Sequence, residues 1–281
     1  MSLVKPAISS PASLPRQWKA DLTLEFAYSP FGTQLIKTTR HGPLSVQKAF
    51  YPEGQDCAHV YLLHPPAGIV SGDDLTIRLK INDKAQVLLT TPGGNRFYRA
   101  REDQSIGVSA QKQTTEFVLG GNAMCENFPQ ETSVYLGWDI TCLGLPSSNE
   151  PFSQGRYTQL NRLFCDNKLI YHDRIAITPE NQLFQHAAGL ANHSVFGTFL
   201  AFSPTQSINI DRKQVVIQLN DLIAAHYAQD KISVSDIDGL LVIRYLGEQA
   251  QECKTLFIGL WQILRPIYQG KEAILPRIWH T

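Results

Sequence analysis

The chain has 281 residues, with 25 basic and 25 acidic side chains, 43% hydrophobic and 18% charged residues. Such a composition excludes a disordered chain, which could not bury enough apolar surface, and its zero formal net charge offers no basic excess for general nucleic-acid binding. No run of about 18 apolar residues is available to cross a bilayer, and the five cysteines are scattered without a CxxC pair; neither a membrane anchor, a disulfide framework nor a zinc finger is expected, and a reducing cytoplasm is the natural compartment.

Residues 1–17 are rich in Pro and Ser and lack an apolar core, so they read as a disordered lead-in and not as a signal peptide. Residues 18–281 read as a single domain, because no linker divides them. From Asp21 to about Phe202 the dominant period is two. Leu22, Leu24, Phe26 and Tyr28 alternate with polar residues, as do Leu75, Ile77, Leu79 and Ile81, the pattern of strands that bury one face. Further strands are expected over Leu44–Tyr51, His59–His64, Ala85–Thr91, Ile106–Ala110, Thr114–Leu119, Ser133–Leu143, Tyr157–Cys165, Leu169–Ile177 and Val195–Phe202. Gly and Pro punctuate them, and the Pro92-Gly93-Gly94 segment reads as a tight turn on positive-φ glycines. Beyond these, Val215, Leu219, Leu222, Ile223 and His226 fall at helical spacing. Gly239–Leu246 reads as a buried strand. Cys253, Phe257, Leu260, Leu264 and Ile267 form a second helical stripe that Pro266 should end or kink in its last turn. The fold class is mainly β: two stacked sheets in a solenoid-like body, without a fixed-length repeat, and a few mostly C-terminal helices.

Catalytic signatures are missing from the sequence: it has no GxSxG, HExxH, P-loop or dinucleotide fingerprint. Candidate metal-binding side chains exist instead. Cys57 and His59 share a strand face at i and i+2 and together suit a borderline-soft ion such as Ni²⁺; a buried thiol beside a hydrogen-bonded histidine is the simpler reading. Asp73 and Asp74 are adjacent carboxylates where a Gly turn meets a strand; they want a cation, an arginine or water, unless they are only turn aspartates capping their own backbone. Glu126, Asp139 and Asp173 stand in strongly apolar surroundings, where a carboxylate needs a partner or a wet channel.

Longer segments are more specific. They include His41–Gly54, His59–Asp73, Thr90-Thr91-Pro92-Gly93 with Phe97-Tyr98-Arg99, and Pro129-Gln130-Glu131. Val195-Phe196-Gly197-Thr198, Arg244-Tyr245-Leu246-Gly247, Leu264-Arg265-Pro266 and Pro276-Arg277-Ile278-Trp279 follow in order. Taken together they resemble the urease accessory protein UreD family (UreH in some organisms), from about Trp18 to the end of the chain. The chain departs from the family pattern at Ala67, at Ser71, and at Asn127, where a tryptophan is usual.

The resemblance implies a protein that catalyses nothing. It implies a scaffold that binds UreF, reaches the GTPase UreG through it, docks on the urease apoprotein and is dimeric within that complex. It also implies that Ni²⁺ passes transiently through an internal water-filled tunnel, with no tightly held cofactor. On that reading Asp73, Asp74, Asp139 and Asp173 are carboxylates of the passage, with Glu126, Cys57 and His59 as weaker candidates. Two alternatives stay open at this point: a hydrolase using Asp73 and Asp139 as a carboxylate pair, and an interaction module that never touches metal.

Overall fold

The computed structural model describes residues 18–64, 68–91, 93–98, 110–119, 124–125, 134–145, 150–152, 156–204 and 210–280. The lead-in expected over residues 1–17, Glu126, and most of the strand expected over Ile106–Ala110 lie outside them. In chain order the first strands are β1 (Trp18–Ser29), β2 (Gly32–His41), β3 (Ser45–Val46), β4 (Cys57–Leu63), β5 (Asp73–Ile81) and β6 (Gln86–Thr90). Next come β7 (Asn95–Phe97), β8 (Ala110–Leu119), β9 (Met124–Cys125), β10 (Val134–Leu145), β11 (Glu150–Pro151), β12 (Arg156–Cys165) and β13 (Lys168–Ile177). The C-terminal part holds β14 (Val195–Phe202), helix α1 (Arg212–Ala225), β15 (Ile232–Ile237), β16 (Leu240–Gly247), helix α2 (Ala250–Gln269) and a short 3-10 turn over Arg277–His280.

Two sheets result. The first runs β13-β12-β8-β5-β1-β2, and the second β15-β16-β14-β10-β9-β6-β4-β3, with β7 and β11 also on β10. Strands β1, β5, β8 and β12 pair parallel, and an antiparallel hairpin strand closes each edge. In the second sheet β4, β6, β9 and β10 are parallel, after which β14, β16 and β15 continue antiparallel. The chain therefore crosses from one sheet to the other between successive parallel neighbours.

Alternation along the strands builds two cores. Leu22, Leu24, Phe26, Leu75, Ile77 and Leu79 face Ala58, Val60, Leu62 and Leu143 between the sheets. The outer face of the second sheet is covered by α1 and α2, through Val215, Leu219, Phe257, Leu260 and Trp261 against Phe199, Leu241 and Ile243. β14 serves both cores, so all eight of its residues are buried, and this is why Val195–Phe202 reads as an unbroken apolar run. Helix α2 lies close on it: a Cβ at Gly197 would stand 2.8 Å from Cys253 Sγ and Phe257.

Some expectations need correction. Only Ser45–Val46 of Leu44–Tyr51 is a strand, with one further bridge from Phe50 to His59. Gly93 and Gly94 do not adopt positive φ; a Cβ at Gly94 would instead press on the Ile140 carbonyl at 3.1 Å, so close approach is the constraint there. Helix α2 continues past Pro266 to Gln269 and stops at Gly270, whose left-handed backbone (φ 58°) returns its N–H to the Pro266 carbonyl. Gly32 does need its glycine. It closes the β1–β2 hairpin at φ 98°, and a Cβ would run into the Gln55 carbonyl. Gly32→Ala is expected to lower unfolding free energy by about 2–4 kcal/mol in a urea titration; an unchanged midpoint would show that the hairpin relaxes freely.

Candidate functional site

The inner face of the first sheet is not uniformly apolar. Along β8 and β12 the inward residues are Gln111 beside Tyr157, Gln113 beside Gln159, and Thr115 beside Asn161, with Asp173 next to Asn161 on β13. Gln111, Gln113 and Gln159 are buried. A sandwich interior with polar side chains on successive rows needs internal hydrogen bonds or water, because each unpartnered buried group is costly.

Asp139 answers this row from β10 of the opposite sheet. Asn95 Nδ2 donates to its Oδ1 at 2.6 Å, Thr141 Oγ1 to its Oδ2 at 3.3 Å, and Gln159 Nε2 reaches Oδ2 across the gap between the sheets. Tyr157 OH donates to Gln159 Oε1 at 2.7 Å and holds that amide in place. Burial pushes the Asp139 carboxyl above its ordinary range, and the three donors pull it partly back. Burial, and then the Asp139 charge, push the Tyr157 phenol well up. The carboxylate lines a cavity of about 170 Å³, together with Gln113, Thr115, Asn161, Tyr135 and Thr198. A water needs ~10–15 Å³ on this measure, so the space admits a file of waters. Gln111 donates to the Tyr98 carbonyl at 2.8 Å, and its buried Oε1 has no hydrogen-bond partner among the described residues, leaving an acceptor for a water or an ion.

Asp173 stands at the edge of this polar lane. Its Oδ2 lies 3.6 Å from an Arg244 guanidinium nitrogen, which also approaches Tyr171 OH at 3.4 Å. Burial, and then the Asp173 charge, push the Tyr171 phenol up.

The adjacent pair Asp73 and Asp74 separates, because successive side chains of a strand point to opposite faces. Asp73 is buried, and its Oδ2 accepts the Val70 N–H at 2.9 Å, so it does cap the Gly72 turn. His64 lies near enough for the Asp73 charge to offset part of the burial that lowers its pKa. Asp74 is on the outer face, 3.5 Å from Lys112 Nζ.

Cys57 and His59 share a face as expected, and that face is the one under α2. The turn before them adds Glu53, and the ligand atoms of these three lie within 4.8 Å of one another. Glu53 Oε1 meets His59 Nε2 at 2.8 Å, and its other oxygen is ion-paired with Arg265 of α2. Arg265 also donates to Gln269 Oε1 at 3.0 Å and the Glu272 carbonyl at 2.8 Å, and its guanidinium lies over the Trp261 ring at 5.0 Å. Burial pushes the Glu53 carboxyl up, but His59 and Arg265 together outweigh it and hold the group below its usual value. A dication there would have to compete with this guanidinium, whereas among the described residues none is bonded to Asp139.

Sequence reading missed Glu53, Arg265, Asn95 and the amides of Gln111, Gln113, Gln159 and Asn161. Polar residues at every second position of Ala110–Thr115, with no apolar face, were the available signal for the lane.

Comparison with known proteins gives a consistent result. A family model described as UreD urease accessory protein matches residues 19–135 and 130–280. A protein named urease accessory protein UreD from Psychromonas ingrahamii is 56% identical, covering 99% of this chain and 98% of the relative. Proteins of the same name from a Marinomonas species and from Hahella chejuensis are 38% and 34% identical, covering 94% and 97% of this chain and 90% and 94% of their own lengths.

Proposed function

Because the chain belongs to the UreD family of urease accessory proteins, which assist urease maturation and are not enzymes, we propose that it conducts Ni²⁺ through the polar lane between its two sheets toward the urease active site. The observation that carries this reading is Asp139: a half-buried carboxylate on the wall of a cavity, facing successive rows of amides between the two sheets. Nickel is cargo here and not a resident cofactor. Transit needs weak, sequential oxygen ligands, since a closed His/Cys cage would trap the ion. Asp139 supplies the central charge, with Asp73 and Asp173 flanking it on the first sheet. Asp74 serves as an outer-face ion-pair partner of Lys112, and Cys57 and His59 belong to the buried contact under α2.

The chain acts as a scaffold as well. It binds UreF, reaches UreG through it, docks on the urease apoprotein as a dimer within that complex, and works in the cytoplasm with residues 18–281 as one unit. The sheet-to-sheet crossing of successive parallel strands supports a solenoid-like winding, which stacks the inward side chains in rows and so gives the lane its direction. Among the described residues no helix is long and apolar enough to cross a membrane. Co-purification of the tagged chain with UreF, UreG and urease apoprotein tests the scaffold reading. A stoichiometric complex that activates urease is expected, and a folded chain that fails to hold UreF would overturn it.

A further inference from the structure

A second cavity, of about 340 Å³, lies beyond the lane on the side of β15 and β16, lined by Ile175, Thr198, Lys231, Ser233 and Arg244. Thr198 lines both cavities. It is the register partner of Asp139 on one side and of Arg244 on the other, so Asp139, Thr198 and Arg244 form one row across the second sheet. Arg244 spans from that row to Asp173 and Tyr171 of the first sheet, where β13 forms the edge.

We propose that Arg244 is a charged gate at this mouth of the lane, held shut by Asp173 and displaced when a divalent cation passes; the proposal rests on reading the lane as a cation passage. A guanidinium at the mouth repels an approaching dication and occupies the carboxylate that would otherwise receive it. The closure is loose. At 3.6 Å the contact with Asp173 is too long for a hydrogen bond, the one to Tyr171 OH is long at 3.4 Å, and the Arg244 side chain is 48% exposed, so little besides charge holds it and solvent is ready to take it. A clasp meant only to fasten the two sheets would be shorter and better buried. Asp173, at 18% exposure, is the more buried partner and passes from guanidinium to cation as the gate opens.

Substituted-cysteine labelling of the full chain tests this. Thr198→Cys places a thiol between the two cavities, and its reaction is followed with a cationic aminoethyl methanethiosulfonate and with a neutral methyl one, after subtracting the labelling of the parent chain. Adding Arg244→Gln is expected to raise the rate with the cationic reagent by ~10-fold, while the neutral reagent changes far less. Arg244→Lys, which keeps the charge, is expected to keep the low rate. Asp173→Asn, which releases Arg244 without removing it, gives an independent variant should Arg244→Gln fold poorly; it is expected to raise both rates. If the thiol is labelled at the same rates in all backgrounds, the gate is wrong while the wet lane stands. If neither reagent labels it in any folded background, the lane is dry, and the conduit falls together with its gate.

Discussion

Arg265→Met is expected to lower the unfolding free energy by about 3–5 kcal/mol, on the order of 10 °C in melting temperature, the largest stability effect of a single substitution anticipated here. Arg265 is fully buried and joins α2 to the second sheet through Glu53, 212 positions earlier in the chain. Methionine fills much of its volume but leaves the Glu53 carboxylate, only 5% exposed, with His59 Nε2 as its remaining close partner. The loss is therefore an uncompensated buried charge more than missing contact area. Glu53→Gln in the same chain removes that charge and is expected to restore most of the stability. The pH dependence follows from the depressed Glu53 pKa. A carboxyl lowered on folding adds stability that is present above its unfolded value, about 4.5, and fades as pH falls through the folded value. The gap between the parent chain and Arg265→Met should accordingly narrow in acid; a constant gap would assign the loss to packing.

Asp139→Asn is expected to do the opposite, sparing the fold and damaging function. Burial already penalises the Asp139 charge, so an amide of the same shape relieves that cost. Its new N–H₂ needs an acceptor, which Asn95 supplies by turning its own amide, while Gln159 stays fixed by Tyr157. The net change in stability is expected within about 1 kcal/mol. A passing dication, in contrast, loses the carboxylate charge at the centre of the lane. Urease activation by the otherwise complete accessory set should fall about 10- to 100-fold, a fraction of the ~4 kcal/mol that a charge pair at 4 Å holds in a partly screened site. Activation at the parent level, with the variant folded and assembled, would return Asp139 to a purely structural role.

How much of this could be read from the chain depended on whether the signal was local. β14 is legible end to end because both of its faces are buried, and α1 and α2 because their stripes cover a sheet. β2 and β15 are edge strands with mostly exposed residues, and so carry no period-two apolar face to find. The start of β8 was hidden for a related reason. Gln111 and Gln113 break the apolar alternation, so the strand seemed to begin at Thr114, although these two amides are the inward residues that make the lane. Asp139 and Asp173 stood out as carboxylates amid apolar neighbours, whereas the amides facing them did not, because their convergence depends on how the two sheets stack. The parting of Asp73 from Asp74 was available from strand geometry alone. The Glu53–Arg265 contact was not, since no spacing rule links residues so far apart.

The most direct measurement is nickel-edge anomalous diffraction from crystals of the full chain equilibrated with millimolar Ni²⁺. Density is expected between the sheets, within ligand reach of Asp139 and toward Asn161 and Asp173, and should disappear in Asp139→Asn. Nickel confined to the outer surface or to Glu53, Cys57 and His59, with the space beside Asp139 empty, would contradict it.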